Sequence, residues 1–286
     1  MRRAEVRDGI EIAYHAKPSA EGAPTFVFAH ATGFCGAVWE PVIAGIGSAV
    51  TGAGLVVIDQ RAHGSSGRSS PPFDWWDIGR DVLDVLKAEV VDGPLIGVGH
   101  SGGGAGLLLA ELDEPGSFAG VLAMEPIVPP PPFVRGDPPI ARNAARRRTW
   151  FPSRDSVRER LEARPPFIDW DPAALAGYLE HGFVPGRDPE TGESGVVLAC
   201  EAADEAEWFR AAAAHGGWDR LGEVGCPVVV LAGSDSVTHA DGPPAEIADR
   251  LANGRLHMVE RASHFIPMEL PGLVVGEAVG LATLTR

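Results

Sequence analysis

Residues 94–104 read Pro-Leu-Ile-Gly-Val-Gly-His-Ser-Gly-Gly-Gly, and this stretch decides the fold. The short apolar run before His100 predicts a buried strand, and the glycines after Ser101 open a segment with helical character. Ser101 is therefore expected on a sharp turn between a strand and a helix. Such a turn needs tiny residues two positions before and two positions after the serine, and these are Gly99 and Gly103. The Ser101 hydroxyl would then stand at a helix N-terminus, where backbone N–H groups stabilise developing negative charge.

The alternation of strand and helix continues on both sides of this turn. Short apolar segments rich in β-branched or aromatic residues predict further buried strands at residues 25–30, 54–60, 119–124, 227–232 and 254–259. Segments with helical spacing lie between them, at residues 74–91 (with Asp74 as N-cap), 102–113, 243–252 and 268–284. Strands that alternate with helices predict a mostly parallel sheet that carries helices on both faces.

Residues 127–218 interrupt this alternation. They begin with a run of prolines, contain no convincing buried strand and carry half of the aromatic residues of the chain. We therefore predict a helical cap inserted into a core domain that comprises residues 1–126 and 219–286. Aromatic residues of a cap line an apolar pocket or form the cap's own small core, and we expect both. The predicted substrate contacts are His100 and Phe34 from the core and, from the cap, Trp150, Phe151, Phe167 and Trp170.

The composition limits the possible partners. A net charge of −15 disfavours nucleic acid and anionic membrane surfaces. The cysteines (Cys35, Cys200 and Cys226) are odd in number and lack metal-ligand spacing, so we expect no disulfide framework, no metal and a reducing compartment. The N-terminus lacks the apolar segment of a signal peptide, and no long apolar run predicts a membrane span. We expect a cytoplasmic monomer or homodimer that acts on a small molecule without a cofactor.

A serine hydroxyl is a poor nucleophile unless a base takes its proton and a carboxylate orients that base. His264 follows the predicted strand at 254–259 and precedes the last predicted helix. Because the carboxyl ends of parallel strands meet at one edge of a sheet, this loop and Ser101 should lie at the same edge. We therefore predict that His264 is the base.

Two more segments complete a resemblance to the α/β-hydrolase family, which covers nearly all of the chain outside the cap. Residues 30–34, His-Ala-Thr-Gly-Phe, resemble the family's oxyanion segment, and residues 59–66, Asp-Gln-Arg-Ala-His-Gly-Ser-Ser, resemble a turn typical of the family. Each segment has alanine where the family usually has glycine. The resemblance implies an eight-stranded, mostly parallel α/β sheet. It also implies an oxyanion hole formed by the backbone N–H groups of Thr32 and Gly102.

The carboxylate that orients His264 stays open at this point. The resemblance places the usual acid of the family in a Gly-x-x-Asp pattern after the strand at 227–232. This chain reads Gly-Ser-Asp-Ser there, so Ser236 occupies the expected position and Asp235 lies one residue early. A slip of one residue redirects a side chain, although a loop can absorb it. Asp241, further along the same loop, is a third possibility.

Glu125 is the acid that we favour. It directly follows the predicted strand at 119–124, which should be a neighbour of the strand that leads to Ser101. Glu125 would therefore emerge at the catalytic edge of the sheet, and its longer side chain suits a longer reach to His264. Some relatives, notably a subgroup of haloalkane dehalogenases, carry their acid in a similar Met-Glu-x-Ile context. The competing interpretation is a carboxylate that caps the entry to the insertion.

The serine also limits the chemistry, because serine favours attack on a carbonyl carbon. Epoxide hydrolases and haloalkane dehalogenases of this family carry aspartate there and act at saturated carbon. We expect hydrolysis of a carboxylic ester or lactone of a small to medium, mostly apolar substrate through an acyl-enzyme. A C–C bond (diketone) hydrolase, a thioesterase or a perhydrolase would use the same residues, and a ligand-binding receptor would keep only the fold. Four arginines lie close together at residues 142–148: Arg142, Arg146, Arg147 and Arg148. They either clamp a substrate carboxylate or form a solvated helix face, and we favour the solvated face.

Overall fold

The structure, a computed structural model, describes residues 1–89, 93–238 and 243–285. The strands are, in chain order, β1 (Arg2–Glu5), β2 (Glu11–Lys17), β3 (Thr25–Ala29), β4 (Gly54–Ile58), β5 (Leu95–His100), β6 (Gly120–Met124), β7 (Trp150–Phe151), β8 (Phe183–Arg187), β9 (Ser194–Leu198), β10 (Val228–Gly233) and β11 (Gly254–Val259). The α-helices are α1 (Glu40–Ala49), α2 (Trp76–Ala88), α3 (Gly102–Asp113), α4 (Pro139–Ala145), α5 (Arg154–Glu162), α6 (Pro172–His181), α7 (Ala202–Ala211), α8 (Pro244–Arg250), α9 (Ile266–Glu269) and α10 (Pro271–Leu284).

The central sheet has eight strands in the spatial order β1-β2-β4-β3-β5-β6-β10-β11. Strands β4, β3, β5, β6, β10 and β11 are parallel neighbours, and β2 runs antiparallel to both β1 and β4. Alternate side chains of β3 enter two separate cores: Phe26 and Phe28 pack with α1 and α10, whereas Val27 and Ala29 pack with α2 and α3. The prediction of a mostly parallel α/β sheet with helices on both faces is therefore confirmed.

Helix boundaries differ from the sequence prediction where capping and proline decide them. Helix α2 begins at Trp76 rather than at Asp74, and the Asp74 carboxylate accepts the Trp76 N–H at 3.0 Å, just ahead of the helix. The predicted helix at 268–284 is divided into α9 and α10. Pro271 has no N–H and disfavours helical geometry at the residue before it. Leu270 accordingly has a non-helical backbone conformation (φ −132°, ψ 54°).

The inserted region contains strands as well as the predicted helices. Strands β7, β9 and β8 form a small antiparallel sheet in that order, between α4 and α7 in the chain. The expectation of a purely helical cap is wrong in this respect. Strand β7 has two residues, and β8 reads Phe-Val-Pro-Gly-Arg with only Phe183 buried, so neither strand has a readable apolar alternation.

The parallel strands β3, β5, β6, β10 and β11 all end at the same edge of the sheet. The loops that leave these ends carry the residues singled out by the sequence, namely Thr32, Ser101, Glu125, Ser236 and His264. Helix α6 of the insertion packs closely on the core next to this edge. An added Cβ at Gly177 would lie 2.3 Å from the carbonyl oxygen of Ala37, so only glycine allows that approach.

Candidate active site

Ser101 lies on a strained turn between β5 and α3. Its φ of 53° and ψ of −116° are unusual for a residue with a side chain, and such strain costs about 1–3 kcal/mol. The Ser101 N–H donates to the Met124 carbonyl at 2.8 Å, which ties the turn to β6. An added Cβ at Gly103 would lie 2.2 Å from the Ala29 carbonyl oxygen, and one at Gly99 would lie 2.7 Å from the backbone of α3. The two glycines therefore have the steric role that the sequence predicts.

Glu125 and His264 are in contact at this edge. The Glu125 carboxylate is 4% exposed, and its Oε2 lies 3.2 Å from Nδ1 of His264. Its Oε1 accepts the backbone N–H of Gly233 at 2.7 Å. Glu125 itself has φ of 49°, so the chain turns sharply after β6 and the side chain extends towards the loop after β10. The structure thus brings to His264 the carboxylate that the sequence analysis favours.

Two hydroxyl groups complete the surroundings of this carboxylate. Ser236 Oγ donates to Glu125 Oε2 at 2.6 Å, and Thr238 Oγ1 donates to the same oxygen at 2.7 Å. Burial alone would raise the pKa of Glu125, but the hydrogen bonds from His264, Ser236, Gly233 and Thr238 favour the charged form and lower the pKa to about 2. Glu125 is therefore an anion at neutral pH.

Of the two alternative carboxylates, Asp235 and Asp241, the structure describes only Asp235. Asp235 is exposed to solvent, and its Oδ1 accepts a hydrogen bond from its neighbour Ser234 at 3.0 Å. It forms no hydrogen bond with His264 within the part of the chain that the structure describes. The shift of one residue relative to the family pattern turns the Asp235 side chain outward, whereas Ser236 faces Glu125. Asp241 lies outside the described residues.

His264 also reaches the serine turn through its backbone. Nε2 of His100 donates to the His264 carbonyl at 2.8 Å, and the two imidazole rings are 4.9 Å apart. His100 is fully buried, and burial lowers its pKa to about 3, so it is a neutral support beneath His264. Its role in substrate contact stays a prediction. No hydrogen bond joins Ser101 Oγ to His264 among the described residues, and in unliganded active sites this contact is often long.

Thr32 and Gly102 lie side by side, as the resemblance predicts for an oxyanion hole. An added Cβ at Gly102 would be 2.9 Å from Thr32 Oγ1 and 3.7 Å from Thr32 N. Neither backbone N–H donates to a protein acceptor within the described residues. The neighbouring Gly33 N–H donates to Nε2 of His63 at 2.9 Å. Burial lowers the pKa of His63 to about 3, so this imidazole stays neutral and able to accept that bond.

An aromatic cluster lies above His264. The Phe34 ring is 5.3 Å from Trp170 and 6.1 Å from Phe265, whose own ring is 5.4 Å from His264. Phe167 is 4.7 Å from Trp170. The predicted contacts Phe34, Phe167 and Trp170 thus lie together near the candidate base, and Phe265 joins them although the sequence analysis did not single it out. Its position directly after His264 was the available signal.

The other two predicted cap contacts lie elsewhere. Trp150 and Phe151 form β7 and pair with β9, and the Phe151 ring is 5.7 Å from Phe183 on β8. The Arg148 guanidinium covers the Phe151 ring at 4.8 Å. These side chains build the small sheet of the cap. Phe151 belongs to a buried apolar cluster that also includes residues of the central sheet, Trp150 is partly buried, and the contact of either with a substrate stays a prediction.

A partly buried ion pair that the sequence did not reveal lies within residues 127–218, and its carboxylate packs against the oxyanion segment. Arg147 Nη1 donates to Glu205 Oε2 at 2.6 Å. Burial alone would lower the pKa of Arg147, but the neighbouring Tyr178 and Glu205 raise it. Glu205 Oε1 lies 2.5 Å from where an added Cβ of Gly33 would stand, and Gly33 has φ of 88°. The Tyr178 hydroxyl donates to the Gly33 carbonyl at 3.4 Å. One arginine of the predicted solvated group therefore anchors the cap.

The site has the arrangement of a hydrolase, and comparison with known proteins agrees. The model of the alpha/beta hydrolase family matches residues 26–278. The chain belongs to the alpha/beta hydrolase family. Peroxisomal membrane protein LPX1 of Saccharomyces cerevisiae is 31% identical over 144 residues, which is 42% of this chain and 37% of that protein. The abhydrolase domain-containing protein AKT2 of Alternaria alternata is 28% identical over 36% of this chain and 39% of its own length. The aligned part of the chain thus spans well under half of the length of these relatives.

Solved structures of the family share the fold over almost the entire chain. The peroxisomal alpha-beta-hydrolase Lpx1 of Saccharomyces cerevisiae has a TM-score of 0.78 at 18% identity, covering 100% of this chain and 86% of that one. E-2-(acetamidomethylene)succinate hydrolase has a TM-score of 0.77 at 20% identity, covering 99% and 98%. The enol-lactonase of Burkholderia xenovorans LB400 has a TM-score of 0.69 at 17% identity, covering 99% and 100%. At these identities the likeness concerns the fold.

The described residues hold no group of three or more His, Cys, Asp or Glu side chains placed to bind a metal ion. None of the helices in the same residues combines the length and the apolar character needed to cross a bilayer.

Proposed function

We propose that this hydrolase cleaves a carboxylic ester or lactone of a small to medium, mostly apolar substrate through an acyl-enzyme formed on Ser101. The observation that carries the proposal is the contact of a buried, ionised Glu125 with Nδ1 of His264, at the edge of the sheet where Ser101 stands on its strained turn. A carboxylate at Nδ1 keeps the proton on that nitrogen. It leaves Nε2 as the ring nitrogen that accepts the proton of a serine hydroxyl.

The reaction follows from these positions. His264 Nε2 takes the proton of Ser101 Oγ as that oxygen attacks the carbonyl carbon, and Glu125 stabilises the imidazolium that forms. The backbone N–H groups of Thr32 and Gly102, which have no protein acceptor in the described structure, are free to donate to the oxyanion. The imidazolium then protonates the leaving alkoxide. In the second half, Nε2 takes a proton from water as the water oxygen bonds to the acyl carbon. The bond from that carbon to Ser101 Oγ then breaks, and the imidazolium returns the proton to Oγ as the carboxylic acid leaves.

The aromatic cluster supports an apolar substrate. Phe34, Trp170 and Phe265 place ring faces and edges beside His264, where a bound acyl or alcohol group would have to lie. Two structural neighbours are named as hydrolytic enzymes, one as an E-2-(acetamidomethylene)succinate hydrolase and the other as an enol-lactonase. For the present chain, we propose a hydrolysis in which Ser101 attacks a carbonyl carbon.

The direct test is Ser101→Ala with p-nitrophenyl esters of increasing acyl length. We expect turnover to fall to the level of the uncatalysed reaction, and we expect a fluorophosphonate probe to label the native chain but not the variant. Ser48→Ala is the matched control, because Ser48 is exposed on α1 and its hydroxyl only donates to the Ala44 carbonyl. Unchanged ester turnover in Ser101→Ala, or labelling of the variant, would sink the assignment of Ser101.

A substrate panel then separates the chemistries that share these residues. Esters, lactones, acyl thioesters and a diketone are incubated with the native chain, and the products are identified by mass spectrometry. We expect the highest kcat/KM with an ester or lactone. Higher kcat/KM with the thioester or the diketone would keep the serine mechanism and replace the proposed substrate class. Labelling of Ser101 without turnover of any member would favour a ligand-binding role.

A further inference from the structure

The loop after β10 contains a hydroxyl side chain that contacts both the candidate acid and the candidate base. Thr238 Oγ1 lies 2.7 Å from Glu125 Oε2 and 3.1 Å from Nδ1 of His264. Glu125 Oε2 is itself 3.2 Å from the same nitrogen. The three atoms therefore form a closed triangle. Ser236 stands behind this triangle, with Oγ 2.6 Å from Glu125 Oε2.

The number of hydrogens determines the direction of each bond in this group. An ionised carboxylate can only accept, so Ser236 Oγ and Thr238 Oγ1 are the donors in their contacts with Glu125 Oε2, and the two hydroxyl oxygens also lie 2.9 Å from each other. Thr238 Oγ1 then has only lone pairs left for Nδ1 of His264. Nδ1 must consequently carry a hydrogen, which it shares between Thr238 Oγ1 and Glu125 Oε2.

We propose that Thr238 is a positioning residue for catalysis, which holds His264 in the Nδ1–H tautomer by sharing that proton with Glu125. This inference rests on the proposed function of Ser101 and His264. Two acceptors on the same side of the ring fix its rotation as well as its tautomer, because a single acceptor would allow the ring to pivot about one bond. The Nε2 atom is thereby held on the side opposite the loop after β10.

The roles of the two hydroxyls differ in a way that can be measured. Ser236 contacts Glu125 and also Thr238, whose N–H its Oγ accepts at 3.3 Å, but it has no hydrogen bond with His264 in the described structure. Its loss therefore reaches His264 only through these two neighbours. Thr238 contacts both partners, so its loss also removes an acceptor of the imidazole N–H. The effect of Thr238 on turnover should therefore exceed that of Ser236. A residue that only shaped the loop would give no such order.

The test compares Thr238→Val, which keeps the shape and removes the hydroxyl, with Thr238→Ser, which keeps the hydroxyl. We expect kcat for a p-nitrophenyl ester to fall about 10- to 100-fold in Thr238→Val with KM unchanged, because one hydrogen bond to a charged group is lost. Thr238→Ser should restore most of kcat, and Ser236→Ala should fall between the native chain and Thr238→Val. Thr283→Val is the control for the substitution itself, since Thr283 is exposed on α10.

Three outcomes decide the proposal. Native kcat in Thr238→Val overturns it, and so does an equal loss in Thr238→Val and Thr238→Ser, which would indicate that the methyl group and loop packing matter instead. A rise in KM without a change in kcat also overturns it. Each of these results leaves the proposed function intact as long as Ser101→Ala is inactive. Turnover that survives in Ser101→Ala refutes the proposed function itself.

Discussion

Replacing Glu125 with glutamine keeps the shape of the side chain and removes its charge. In the native chain, hydrogen bonds lower the pKa of Glu125 from 4.5 to about 2, and each unit corresponds to about 1.4 kcal/mol. Because the folded pKa is the lower one, this stabilisation is present above pH 4.5 and is lost as the pH falls towards 2. A neutral glutamine lacks it at every pH. We therefore expect Glu125→Gln to lower the free energy of unfolding by about 3 kcal/mol at neutral pH.

The effect on turnover follows from the donors that surround this carboxylate. Oε2 faces the hydroxyls of Ser236 and Thr238 and Nδ1 of His264, and Oε1 faces the N–H of Gly233. An amide NH₂ group in either place points hydrogens at existing donors. With the NH₂ group at the Oε2 position, the imidazole is driven to the tautomer with its hydrogen on Nε2, where it cannot take a proton from serine. With the NH₂ group at the Oε1 position, it opposes the Gly233 N–H, and His264 keeps only a neutral acceptor in place of the charged one. We expect kcat to fall by about 1,000- to 10,000-fold, or roughly 4–5.5 kcal/mol of transition-state stabilisation.

The assay measures kcat and KM for a p-nitrophenyl ester, together with urea unfolding followed by tryptophan fluorescence. Asp235→Asn is the matched control, since Asp235 is the alternative carboxylate one residue before the position of the family pattern and its side chain is exposed. We expect this variant to keep native activity and stability. The reasoning is refuted if Asp235→Asn loses activity while Glu125→Gln retains it, or if Glu125→Gln changes neither kcat nor unfolding.

Two further predictions concern buried charges and buried imidazoles. Arg147→Met leaves the Glu205 carboxylate beside Gly33 without its cation, so we expect the free energy of unfolding to fall by about 1–3 kcal/mol. The double variant Arg147→Met/Glu205→Gln should recover this loss, and urea titration measures both changes. Burial lowers the pKa of four histidines from 6.5 to about 3 or 4, so they stay neutral in the folded state while the unfolded chain takes up protons below pH 6.5. Each should cost about 1.4 kcal/mol at pH 5.5, and a melting temperature that did not fall between pH 7 and 5 would contradict this. The four are His30, His63, His100 and His215.

The sequence predicted the central sheet well because its signals are local. Buried parallel strands such as β5 and β6 are continuous apolar runs, and the turn at Ser101 needs small residues at fixed spacing, which no distant contact can replace. Strand ends were within one or two residues of the predicted limits. The position of His264 at the edge of Ser101 could also be predicted, since a loop that leaves a parallel strand has only one edge of the sheet available to it.

The cap could be predicted only in outline. Its aromatic enrichment was readable, but which rings meet His264 depends on how α6 seats on the core near Ala37, a contact between residues far apart in the chain. Trp150 and Phe151 looked equivalent to Phe167 and Trp170 in composition, yet β-pairing with β9 took them into the small sheet. The Arg147–Glu205 ion pair joins residues 58 positions apart, and no local pattern could have indicated it.

The carboxylate next to His264 comes from the loop after β6, whereas the family pattern would place it on the loop after β10. Strands β6 and β10 are parallel neighbours with Met124 level with Leu231, so the loops that follow them begin side by side. The family pattern would have its carboxylate at the position of Ser236, whose Oγ is 2.6 Å from Glu125 Oε2. A negative charge beside Nδ1 of His264 is what the chemistry requires, and either loop can supply it. Glu125 follows β6 and has a positive φ, which directs its side chain towards His264. Ser236 occupies the position of the family's aspartate, and its hydroxyl stabilises the charge of Glu125 by a hydrogen bond.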